Sequence, residues 1–244
     1  MGIEPMNQQK LLEFMEDKEG VQQILQRNGM DPRLLRSKAW ETWISEEKLY
    51  NVLHQFWTTY RKEWDGPDVP IYILPTRPPS LFQRNDQPGA GFATRKEIFL
   101  FVKQQWNKDT LQALFVHEYH HTTRMQKRGD PIHFTLRDSL LMEGLAEYAV
   151  KEYCGESFVS PWSTQYDTKQ LEKWWAQWIK PNLDLPRKDS LHQSLLQGGG
   201  GYPKFLGYAI GYEWVSRYAK KEKCPSKQII YLPSNQFPDK LFED

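Results

Sequence analysis

His117 and His121 stand four residues apart inside an apolar helical pattern over residues 111–124, LQALFVHEYHHTTR, and this placement constrains the chain more than any other feature. On a helix, positions i and i+4 project from one face, one above the other, so the two imidazoles are presented together. Leu111, Leu114, Phe115 and Val116 make the preceding turns apolar, as expected of a helix buried beneath a cleft. Asp109-Thr110 stands where an N-cap belongs. Glu118 follows the first histidine directly, which completes an HExxH segment. In that pattern the histidines bind a metal ion and the acid acts as a base beside it.

A second helical pattern covers residues 136–153, LRDSLLMEGLAEYAVKEY. Its spacing from His121 leaves room for a turn and an antiparallel return. Glu143 and Glu147 share one face of this otherwise apolar helix, a costly arrangement unless something cationic meets them. A cation held by His117 and His121 answers that need. Glu143 is the preferred third ligand, with Glu147 its rival. Three protein ligands leave one position open, which marks a catalytic rather than a structural zinc site. Glu118 would take the proton of a water whose acidity the zinc raises. His120 points off the ligand face and belongs beside the site or at the surface. His133 and His192 read as loop histidines.

Around these two helices the chain reads as helices, a small sheet, then helices to the end. Residues 7–28 carry an irregular helical stripe broken near Gly20. Asp31-Pro32 opens a second helix with Pro in its first turn. Leu49, Val52, Leu53, Phe56, Trp57 and Tyr60 mark the clearest amphipathic helix of this half, with His54 at or near its surface. Residues 69–74, VPIYIL, read as a strand, 75–91 as a loop, and 92–103 as a second strand or hairpin. Two later helices are expected at 171–179 and 204–220. The fold class is α+β and mainly helical, with a small β-sheet packed on the HExxH helix. Residues 1–64 form a helical accessory region and 65–244 the catalytic domain, or the two are one continuous domain.

Composition narrows the function classes. The formal net charge is +1 over 244 residues, and the basic clusters are short, which argues against a nucleic-acid partner. No run approaches the ~18 apolar residues of a membrane span. Residues 1–10 lack a signal peptide's pattern, and Met6 stands where a myristoylation motif wants Ser or Thr. Cys154 and Cys224 lack metal-type spacing and read as free thiols in a reducing compartment. The expectation is a soluble, cytoplasmic protein.

HExxH followed by a helix bearing Glu143 and Glu147 resembles the gluzincin group of zinc peptidases, of which thermolysin is a member. HEYHH, EGLAEY and the late GYAIGY segment more closely resemble the YjaZ-type predicted zinc-dependent proteases of bacteria, over residues 70–215. The resemblance implies a zincin-like fold, one Zn²⁺ with Glu143 as third ligand, and Glu147 accepting a hydrogen bond from the His117 imidazole. The expected partner is a peptide or protein substrate. Zinc peptidases use a Tyr or His to stabilise the oxyanion. Tyr208 is the candidate, ahead of Tyr212 and Tyr202. The competing reading gives Gly207 and Gly211 to close helix packing and the tyrosines to an interface core. The strand near 89–100 offers an edge on which an extended peptide could pair. Two other functions fit the motifs: a non-catalytic protein with a structural or vestigial metal site, and a zinc amidase acting on cell-wall peptide.

Overall fold

Apolar residues recurring every three and four positions after residue 48 generate one long helix. The computed structural model describes residues 20–46, 48–76 and 89–242. The stripe expected at 7–28 lies partly outside them. The chain divides into two compact units, Met1–Thr122 and Thr123–Asp244.

The first unit begins with α1 (Val21–Arg27), α2 (Pro32–Leu35) and α3 (Lys38–Glu46). Asp31 caps α2 as the sequence suggests, its carboxylate accepting from the Arg33 and Leu34 amides, with Pro32 in the first turn. The helix is only one turn long. Ser37 then starts α3 by accepting the Trp40 amide at 3.1 Å. Next comes α4 (Leu49–Trp64), which buries Leu49, Leu53, Phe56, Trp57, Tyr60 and Trp64 along one stripe. His54 is exposed on its other face. The helix stops at Asp65, which takes up a left-handed conformation.

Three strands follow: β1 (Ile71–Pro75), β2 (Gly89–Ala93) and β3 (Ile98–Val102). Their order is β1-β3-β2, with β1 parallel and β2 antiparallel to β3. Every residue of β1 and β3 is buried, which explains their uninterrupted apolar runs. The loop expected to reach residue 91 ends earlier, because Gly89, Ala90 and Gly91 are already paired with β3. Glycine is a poor strand former, so its presence there needs a tertiary cause.

The long helix α5 (Lys108–Arg128) starts one turn before the apolar pattern. Asn107, not Asp109, accepts the Thr110 amide at its start. Asp109 instead lies in the first turn, where a negative charge is favourable. The division between the units falls within α5.

In the second unit, α6 (Leu136–Cys154) opens on a reciprocal cap between Thr135 and Asp138. It is followed by α7 (Pro161–Thr164), α8 (Thr168–Trp174), α9 (Ser190–Gln197), α10 (Leu206–Glu222) and α11 (Ser226–Ile229). The helix expected at 171–179 is α8 continued by a widened π turn over Trp175–Ile179. The core gathers Leu140, Leu145, Trp175, Leu195, Ile210 and Trp214. Here α6 and α10 cross at two glycines: a Cβ on Gly144 would stand 2.1 Å from the Gly211 carbonyl oxygen, and one on Gly211 would stand 2.1 Å from that of Leu140. Close packing is therefore what Gly211 provides. Gly207 is similar, pressed against Leu196 and Leu140. Arg124 is buried in this unit, donating to the Ile230 carbonyl at 2.6 Å and to Ser234. Burial lowers its pKa to about 9. Among the described residues Cys154 and Cys224 form no disulfide, and both are half-buried. Among the described residues no helix is long and apolar enough to cross a membrane.

Candidate metal centre

Three kinds of residue on α5 fix its orientation within the first unit. Phe115 and Tyr119 turn towards α4, where Phe115 meets Phe56 and Tyr60, and Tyr119 stacks on Trp64. The Tyr119 hydroxyl also donates to the Pro67 carbonyl at 2.9 Å. Glu118 and Thr122, one turn apart, face the β2–β3 hairpin. Thr122 donates to the Thr94 carbonyl at 3.0 Å, and the Glu118 side chain lies directly against Gly91. His117 and His121 occupy the remaining face.

The two imidazoles meet as the i, i+4 spacing requires. Their Nε2 atoms are 3.0 Å apart and the ring planes stand at 84°. Two nitrogens bound to one tetrahedral zinc at ~2.05 Å lie ~3.3 Å apart, so the observed pair is close to a chelating geometry. Among the described residues, His117, His121 and Glu143 form a group able to hold a metal ion, their candidate ligand atoms all within 4.8 Å of one another. Two imidazoles and a carboxylate are the donor set that suits zinc.

The other expected residues fall as follows. Glu118 is buried next to His117, with 6 % of its surface exposed. Glu147 is buried on α6, and both its oxygens are engaged by Ser160: Oε2 accepts the amide at 2.8 Å and Oε1 the hydroxyl at 2.7 Å. Tyr208 is half-buried on α10 and its ring meets Phe205. Phe205 itself precedes the helix in a left-handed conformation.

Of the two alternatives for His120, the surface is excluded: it is fully buried with its ring edge-on to Trp64. His192 is not in a loop but in α9, fully buried. Its Nδ1 donates to the Leu185 carbonyl and its Nε2 accepts from the Ser139 hydroxyl. Desolvation is the main cause of its lowered pKa. His133 sits exposed in a 3₁₀ turn. The sequence reading missed Gly91 and Ser160. Their only signals were a glycine in a loop-like stretch and a serine before a proline, neither of which names its tertiary partner.

A mainly helical α+β chain with a two-histidine, one-carboxylate group on its longest helices belongs, by class, among candidate metalloproteins. Residues 49–239 match the family described as "Predicted Zn-dependent protease (DUF2268)". The chain belongs to that family. It is 32% identical over 229 residues to "Uncharacterized protein YjaZ" of Bacillus subtilis (strain 168), covering 91% of this chain and 86% of the relative. It is 28% identical over 140 residues to "Uncharacterized protein YjfC" of the same organism, covering 52% of this chain and 46% of the relative.

Proposed function

We propose that the protein is a zinc-dependent metallopeptidase of gluzincin-like fold that cleaves peptide bonds in an extended peptide or protein substrate. The observation that carries this reading is the grouping of His117, His121 and Glu143. The buried Glu118 beside that group supports catalysis over a structural role, since a structural site has no use for an acid there.

His117, His121 and Glu143 would hold one Zn²⁺, which when bound supplies Lewis-acid activation of water and of the scissile carbonyl. Glu118 takes a proton from the attacking water and returns it to the leaving amine. Its burial beside Gly91 keeps the carboxylate in one place for both transfers. Glu147 is assigned to orient His117, and the two hydrogen bonds from Ser160 hold its carboxylate still. Tyr208 is assigned to donate to the developing oxyanion. Among the described residues β2 is an outer strand of the sheet, and an extended substrate would pair on that edge.

The test is cleavage of an unstructured protein by the zinc-loaded enzyme, with and without a chelator, in wild type and Glu118→Gln. We expect chelator-sensitive cleavage in wild type. In the variant, turnover should fall by about 10²–10⁴-fold with zinc still bound. Undiminished turnover in Glu118→Gln would remove Glu118 from the reaction.

A further inference from the structure

Glycine at position 91 has no backbone explanation. Its φ is not in the left-handed region, and it pairs with Leu100 as an ordinary strand residue. Its explanation is steric: a Cβ built there would stand 2.3 Å from both Cγ and Oε1 of Glu118, and 2.4 Å from Cδ. Those distances are far inside ordinary carbon contact. Neither backbone is placed to retreat. The Thr122 hydroxyl pins α5 to the β2–β3 turn through Thr94 O, one helical turn beyond Glu118. The strand itself is paired with β3 along its length. Because the contact reaches as far in as Cγ, a shift of the carboxylate tip alone does not relieve it. The whole Glu118 side chain must leave its position.

We infer that Gly91 is a positioning residue for Glu118, its missing side chain reserving the space that the carboxylate occupies on the face of β2. This rests on the peptidase reading for its catalytic consequence, but not for the contact itself. An alanine at this site keeps the strand conformation and places one methyl group where Glu118 now lies. The cost therefore falls on the base and not on substrate binding or the metal ligands.

Two measurements on the zinc-loaded protein separate these claims. In the first, apparent melting temperatures are compared for wild type, Gly91→Ala, Glu118→Ala and the double variant. Gly91→Ala should lower the melting temperature by about 2–4 °C in the wild-type background and leave it unchanged in the Glu118→Ala background. If Gly91→Ala folds only when combined with Glu118→Ala, the coupling is demonstrated equally well. Equal shifts in both backgrounds overturn the inference. In the second, steady-state cleavage by Gly91→Ala should show kcat down about 100-fold, with KM and zinc content as in wild type. The same substitution should cost less than ~3-fold in the residual turnover of the Glu118→Ala background, where no atom beyond Cβ remains to meet the methyl group. A kcat for Gly91→Ala equal to wild type overturns the positioning role. If the melting temperatures couple but wild type shows no chelator-sensitive cleavage, the peptidase reading falls and the steric reservation stands.

Discussion

At two of the places where glycines press against neighbours in this molecule, they do so for opposite reasons. At Gly91, in the first unit, the neighbour is an acidic side chain with a proposed job. At Gly144 and Gly211, in the second, it is the carbonyl oxygen of a facing helix. A side chain can be driven to another rotamer at modest cost, whereas two packed helix backbones separate only by disrupting the core around them. The same residue type thus guards the placement of one functional group in the first case and a helix crossing in the second. The glycine of EGLAEY and the second glycine of GYAIGY are explained by packing. The glycine that concerns chemistry lies in a stretch without any motif.

That contrast is broken most readily at the helix crossing. We expect Gly144→Ala to cost about 3 kcal/mol or more, the upper range for overpacking a tight interior. Urea unfolding measures it. A cost as small as that of an exposed substitution would mean that the α6–α10 crossing is far looser than the 2.1 Å approach implies.

A smaller effect sharpens the other side. Ser160→Ala removes the hydroxyl that donates to Oε1 of the buried Glu147 while keeping the backbone amide on Oε2. A loss of about 1–3 kcal/mol is expected for a buried acceptor deprived of one donor. Ser160→Thr should restore most of it. Indistinguishable stabilities for Ser160→Ala and wild type would show that Ser160 does not hold that carboxylate.

The smallest effect is a pH dependence in the second unit's core. His192 has a folded-state pKa below its ordinary value, chiefly because burial disfavours the cation. The unfolded chain therefore binds the proton more readily. Its contribution to stability is complete above the ordinary histidine pKa and is lost as pH falls through the depressed one. The unfolding free energy of wild type should fall on acidification more steeply than that of His192→Gln. Parallel pH profiles would show that His192 carries no such linkage.

What could be read from the sequence follows the range of the forces involved. The helix α4 was legible because its burial stripe is a local repeat. The pairing of His117 with His121 was legible because four residues on one helix fix it. The strand β2 was legible only loosely, within the strand expected near 89–100, since Gly89-Ala90-Gly91 has the composition of a loop and Gly91 answers to Glu118 on another element. The sequence favoured Glu143 over Glu147 as third ligand although both share one helix face; in the fold they differ in what meets each. Ser160 engages Glu147, and Glu143 groups with the histidines. His192 looked like a loop residue because its partners, Leu185 and Ser139, are tertiary contacts.

The most direct test of the metal centre is zinc K-edge X-ray absorption on the purified protein, together with metal content, in wild type and Glu143→Ala. We expect one zinc per chain with two imidazole nitrogens and light-atom oxygen ligands in wild type, and weakened zinc retention in the variant. Absence of zinc binding, or a shell containing sulfur from Cys154 or Cys224, would contradict the assignment of His117, His121 and Glu143.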